Sequence, residues 1–141
     1  MSGDFEPKIV AFACNWSAYA AVDMAGTSRT RYPHNVRVIR VMCSGRVDPQ
    51  FVLEAFSKGA DGVIVAGCHP PADCHYLEGN FMAFRRFTLF RRLLDSLGIE
   101  RERFRLEWIS APETGKWARV VNEMVNDLKK LGPLREKLEV R

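Results

Sequence analysis

Three apolar, β-branched runs punctuate the first half of the chain, and each ends in a cysteine. They are Lys8-Ile9-Val10-Ala11-Phe12-Ala13-Cys14, Val36-Arg37-Val38-Ile39-Arg40-Val41-Met42-Cys43 and Asp61-Gly62-Val63-Ile64-Val65-Ala66-Gly67-Cys68. The third is an uninterrupted apolar run, the pattern of a strand covered on both faces. Helical patterns separate the runs. Strands alternating with helices predict a parallel sheet with helices on both faces.

The helices carry their own start and stop signals. Ser17 is placed to cap an Ala-rich helix that closes near Gly26. After the turn Ser44-Gly45-Arg46-Val47, Asp48 caps a second helix with Pro49 in its first position, running to Gly59. A third helix is predicted from Asn80 to Leu97. Phe84, Phe87, Phe90 or Arg91, Leu94 and Leu97 follow helical spacing, and Gly98 stops it. Residues 104–110 read as a fourth strand. A last helix runs from Pro112 or Glu113 to Leu131, with Trp117, Val120, Val121, Met124, Leu128 and Leu131 as its buried stripe. Right-handed crossovers leave few topologies for this order. The expected fold is α/β, a single doubly wound, flavodoxin-like sheet of about four strands in the order 2-1-3-4. The domain is expected over residues 8–132, between a flexible tail at 1–7 and a charged tail at 133–141.

In such a sheet, ligands bind beyond the carboxyl ends of the strands, where the winding reverses. Neighbouring strands lie about 4.8 Å apart. Three cysteines ending adjacent strands therefore bring their thiols together. Cys74, on the loop Cys68-His69-Pro70-Pro71-Ala72-Asp73-Cys74-His75 stiffened by two prolines, folds back as a fourth. Thiolates suit soft metals, and four can hold 2Fe-2S, 4Fe-4S or structural zinc. The spacings of 29, 25 and 6 residues match neither the short ferredoxin runs nor zinc-ribbon pairs. An iron–sulfur cluster is the leading candidate. Its rivals are a zinc-stabilised interaction module, a thiol redox protein using Cys68 and Cys74, and four cysteines that merely fill a core.

His69 and His75 are candidate ligands, hydrogen-bond donors to the sulfurs, or plain loop histidines. Asp73 reads as a turn residue. Trp16 either shields the site from water or packs on the sheet edge. Arg85, Arg86, Arg91 and Arg92 interleave with Phe81, Phe84, Phe87 and Phe90. This reads as a core-facing aromatic stripe backed by solvated arginines, or as a docking patch for an acidic partner protein.

Other occupants of the same fold are excluded by the loops. The segment Asn15-Trp16-Ser17-Ala18-Tyr19 is too bulky for a flavin phosphate, and no P-loop or dinucleotide fingerprint is present. No cysteine is followed by the arginine a thiol phosphatase needs. A phospho-receiver needs acids where Cys14 and Cys68 stand. The net charge of +4, from 21 basic and 17 acidic residues, is too mild to imply nucleic acid. No apolar run nears the ~20 residues of a membrane span. The acidic N-terminus has no apolar signal core, so a cytoplasmic location is expected. In that compartment clustered cysteines mean metal or redox chemistry more often than disulfides.

Taken together, the Pro7-to-Trp16 segment, Arg40-Val41-Met42-Cys43-Ser44-Gly45-Arg46, Gly62-to-Pro70 and Asp73-Cys74-His75-Tyr76 resemble the iron–sulfur delta subunit of the methyl-viologen-reducing hydrogenase of methanogens. The resemblance extends over about residues 7 to 132. It implies one 2Fe-2S cluster on Cys14, Cys43, Cys68 and Cys74. It also implies a complex with heterodisulfide reductase. There the chain relays electrons from a hydrogenase, or a formate dehydrogenase, to the flavin-bearing subunit that carries out electron bifurcation in methanogenesis.

Overall fold

The computed structural model describes residues 5–70 and 74–134. Among them β1 (Ile9–Cys14), β2 (Val36–Val41), β3 (Gly62–Gly67) and β4 (Phe104–Trp108) form one four-stranded sheet. Its order is β2-β1-β3-β4 and every pairing is parallel, as the alternating pattern predicts. The helices are α1 (Ala18–Thr27), α2 (Pro49–Ser57), α3 (Gly79–Ser96) and α4 (Thr114–Leu131). Two short 3-10 turns, Ser44–Arg46 and Arg101–Arg103, complete the architecture. Asp48 caps α2 as expected, its carboxylate accepting from the Gln50 N–H at 2.9 Å.

The pleat sends alternate side chains into two different cores. On one face Ile9, Ala11 and Ala13 of β1 meet Ala18, Ala21 and Ala25 of α1 and the Trp117-to-Leu128 stripe of α4. Small residues on both partners let α1 lie close to the strand. On the other face Phe12, Val63 and Val65 pack against Val52 and Phe56 of α2 and Phe87, Phe90 and Leu94 of α3. The rings of Phe87, Phe90 and Phe104 interlock there, with centroids 5.3 to 5.8 Å apart.

The structure corrects several expectations. Of the three strand-terminal cysteines, only Cys14 lies on a strand. The β2 ladder ends where Val41 pairs with Cys14, the Val41 carbonyl already accepting from Asn15 N at 2.7 Å. The chain then breaks into the 3-10 turn with Cys43 before it. Cys68 likewise follows the last residue of β3. Along α3 the buried stripe is Ala83, Phe87, Phe90 and Leu94. Phe84 (53% exposed) and Leu97 face outward, because the sheet is covered by one strip of the helix only. Leu134, expected within the tail, is fully buried, and its N–H donates to Asp61 Oδ1 at 3.2 Å. Residues 1–4, the loop residues Pro71, Ala72 and Asp73, and the segment 135–141 lie outside the described residues.

Candidate metal centre

Four segments deliver the four cysteines to one place beyond the carboxyl end of the sheet. Cys14 closes β1, Cys43 precedes the 3-10 turn, Cys68 follows β3, and Cys74 stands at the far end of the proline loop. Each is at most 6% exposed, and together they form a separate buried cluster. None is in a disulfide. The sulfurs meet in two pairs, Cys14 Sγ with Cys68 Sγ at 3.6 Å and Cys43 Sγ with Cys74 Sγ at 3.9 Å. Cys68 and Cys74, though six residues apart in the chain, fall in different pairs. Among the described residues no group of three or more His, Cys, Asp or Glu side chains is arranged to hold a single metal ion.

Glycine backbone lies against this chamber of sulfurs on the side of the second pair. The first residue of α3, Gly79, lies against the second pair: a Cβ there would collide with Cys43 Sγ and stand 3.3 Å from Cys74 Sγ. Gly45 in the 3-10 turn faces it, where a Cβ would approach the Gly79 carbonyl oxygen to 3.0 Å. Glycine at 79 is what lets the helix close on the sulfurs, and at 45 a larger residue would fit only tightly. Arg86 fastens that turn to α3, donating to the carbonyls of Gly45 and Val47 at 2.8 Å each. Asn80, fully buried, ties the helix start to the end of β3 by donating from Nδ2 to the Cys68 carbonyl at 3.1 Å. The N-terminus of an 18-residue helix thus stands at the sulfurs, with its partial positive charge toward them.

The donors reaching the sulfurs are few and specific. The Ser17 hydroxyl lies 3.1 Å from Cys68 Sγ, and the Gly45 N–H lies 3.4 Å from Cys43 Sγ. Hydrogen bonding from the Cys68 thiol, opposed by burial and aided by the N–H groups of Trp16 and Ser17, brings Cys14 down to about 6. Cys68, which donates that bond, is pushed up, with burial adding to the effect. Cys43 is raised chiefly by burial.

Close in sequence to Cys14 and Cys74 lies an aromatic cluster of Trp16, His75 and Tyr76. Trp16 stacks on the His75 ring at 3.8 Å and 11°, and its indole N–H donates to the Tyr76 hydroxyl at 3.1 Å. The His75 backbone N–H is directed at Cys68. Leu77 beside it is 80% exposed and held at φ 76°. His69 points elsewhere: its Nε2 pairs with Glu113 Oε1. That oxygen also accepts from the backbone N–H and hydroxyl of Ser110, at 2.9 and 2.8 Å. The Ser110 N–H is the main cause that holds Glu113 at about 2. Of the four arginines, Arg85 and Arg92 are exposed. Arg86 is committed to the turn, and Arg91 lies over the Phe104 ring at 5.3 Å.

Sequence reasoning missed Ser17 as a sulfur partner, Asn80, Glu113 and the wall glycines. Only the glycines left a signal, since Gly45 and Gly79 each lie within about five residues of a cysteine.

A parallel α/β domain that gathers four cysteines where its winding reverses has the make-up of a small metal- or redox-carrying domain. The chain belongs to the family of methyl-viologen-reducing hydrogenase delta subunits, which it matches over residues 9–132. It is 57% identical over 135 residues to the iron-sulfur subunit of the F420-non-reducing hydrogenase of Archaeoglobus profundus, covering 96% of this chain and 98% of that protein. It is 50% identical over 133 residues to the vhc iron-sulfur subunit of the F420-non-reducing hydrogenase of Methanococcus voltae, 94% of this chain and 92% of that one. Over 128 residues it is also 50% identical to part of a longer protein of Methanosarcina acetivorans, a component of its ferredoxin/F420H2-dependent CoB-CoM heterodisulfide reductase. That match takes 91% of this chain but 16% of the longer protein.

Proposed function

We propose that the chain is an electron-transfer subunit carrying one 2Fe-2S cluster on Cys14, Cys43, Cys68 and Cys74. The observation that carries this reading is the arrangement of the sulfurs in two pairs. A single tetrahedral metal with bonds of ~2.3 Å needs all four sulfurs mutually about 3.8 Å apart. A binuclear cluster needs two thiolates on each iron and room for bridging sulfide between the pairs. Pair distances of 3.6 and 3.9 Å suit two thiolates on each of two irons. On this reading Cys14 and Cys68 share one iron, and Cys43 and Cys74 the other. The relatives named as iron-sulfur subunits support the same class of cofactor.

A cluster bound there supplies a one-electron couple. The chain's own residues bury the sulfurs, hold them through Gly45, Gly79 and Asn80, and compensate negative charge at them with the α3 N-terminus. The protein makes and breaks no substrate bond. Some relatives are named as hydrogenase subunits, and in others the same domain forms part of a heterodisulfide reductase; both support a position between those two enzymes. Electrons from a hydrogenase or formate dehydrogenase would pass through the chain to a flavin-bearing heterodisulfide reductase component that bifurcates them, in the cytoplasm. Among the described residues no helix is long and apolar enough to cross a membrane. The exposed Arg85 and Arg92 are proposed to contact the partner.

Replacing Cys43 with Ser tests the reading. The expected result is a bleached or weakened visible spectrum and loss of electron flow to the partner; an unchanged spectrum and flow would refute it.

A further inference from the structure

Ser17 stands at the start of α1, where a serine ordinarily bonds a backbone N–H of the first turn. Here it makes no such cap bond. Its carbonyl still accepts the helical bond from Ala21 N at 2.9 Å, so the backbone begins the helix normally while the side chain turns away. The hydroxyl is buried and donates to Cys68 Sγ at 3.1 Å. Forgoing a cap weakens the helix start. A neutral thiol is a weak acceptor and returns little of that loss. A bond to an ionised acceptor is about twice as strong as one between neutral groups. The geometry is therefore that of a donor placed for an anionic, metal-bound sulfur.

We propose that Ser17 is a positioning residue that raises the reduction potential of the redox group held by the Cys14/Cys68 pair, acting through its hydrogen bond to Cys68 Sγ. This rests on the reading of the cysteine chamber as an iron–sulfur centre. The step is one electron in from a partner oxidoreductase and one electron out to another; the hydroxyl keeps its proton throughout. An added electron increases the negative charge on the ligating sulfurs. The O–H···S bond then strengthens in the reduced form more than in the oxidised form, and the midpoint moves to a more positive value. The donor to Cys43 is different in kind and more distant, the Gly45 backbone N–H at 3.4 Å.

The test is a redox titration followed by electron paramagnetic resonance on the anaerobically purified chain, its Ser17→Ala variant and its Ser17→Thr variant, after iron and sulfide analysis of each. The expected result is equal iron and sulfide in all three, a midpoint shifted to more negative values in Ser17→Ala, and a midpoint close to wild type in Ser17→Thr. An unshifted midpoint in an iron-replete Ser17→Ala protein overturns the proposal. So does a Ser17→Ala protein that loses its iron while Ser17→Thr keeps it, since the bond would then serve assembly and not potential. Absence of iron and sulfide from the wild-type protein would instead defeat the reading of the chamber.

Discussion

At the amino end of the sheet Arg103 is completely buried, and its guanidinium donates to the carbonyls of Asp61 at 3.1 Å and Gly132 at 2.7 Å and to both oxygens of Glu100. Asp61 in turn accepts from the backbone N–H groups of Lys8 at 2.9 Å and Leu134 at 3.2 Å. That network ties the entries of β1, β3 and β4 to the end of α4. At the carboxyl end the buried groups are four thiols, reached by a hydroxyl and a few N–H groups, with glycine backbone on the side of the second pair. One end has its polar groups paired with partners within the chain. The other gathers soft donors that suit a metal better than they suit one another. Ligand sites lie at the carboxyl ends of strands in this class of sheet, and the cysteines stand at that end.

The largest effect separating the two ends is expected from Arg103→Ala. It removes the buried donor to the carbonyls of Asp61 and Gly132, and each buried acceptor left unsatisfied costs about 1–3 kcal/mol. Urea unfolding should show that loss, while the folded fraction retains its iron; iron lost in parallel with a small stability change would merge the two regions. Gly79→Ala should do the reverse. The new methyl group collides with Cys43 Sγ, so most of the iron should be lost, with a stability change of about 1–3 kcal/mol for the overpacking. A variant with full iron would mean that the α3 backbone does not wall the chamber.

Glu113→Gln probes the border of the sulfur end. Its carboxylate is held at about 2, below the unfolded value of 4.5, by Ser110 and His69. Its stabilisation is therefore complete above about pH 4.5 and is lost as pH falls toward about 2. Because the side chain is 34% exposed, about 1 kcal/mol remains after solvent screening. The wild-type urea midpoint should fall more steeply on acidification than that of Glu113→Gln; parallel curves would remove the anchor. Charge reversal at both Arg85 and Arg92 should leave stability and spectrum unchanged and weaken partner binding, as measured by complex assembly.

Much of the architecture was legible because it depends on short-range pattern. The apolar runs, Asp48-Pro49 and the Trp117-to-Leu128 stripe each declare an element, and the handedness of crossovers supplies the strand order. The convergence of Cys14, Cys43 and Cys68 followed from that order, even though two of them lie just past their strands. What stayed hidden depends on which neighbour a side chain meets in space. Ser17 reads as a cap until β3 brings Cys68 within reach. Phe84 shares helical spacing with Phe87 and still faces outward. Arg103 sits among the chain's many surface-type charges, and nothing local marks it as buried.

The most direct measurement is iron and acid-labile sulfide per chain on protein purified without oxygen, with electron paramagnetic resonance of the reduced sample. Two irons, two sulfides and a one-electron signal are predicted. A colourless protein holding zinc or no metal would contradict a binuclear iron–sulfur centre on these four cysteines.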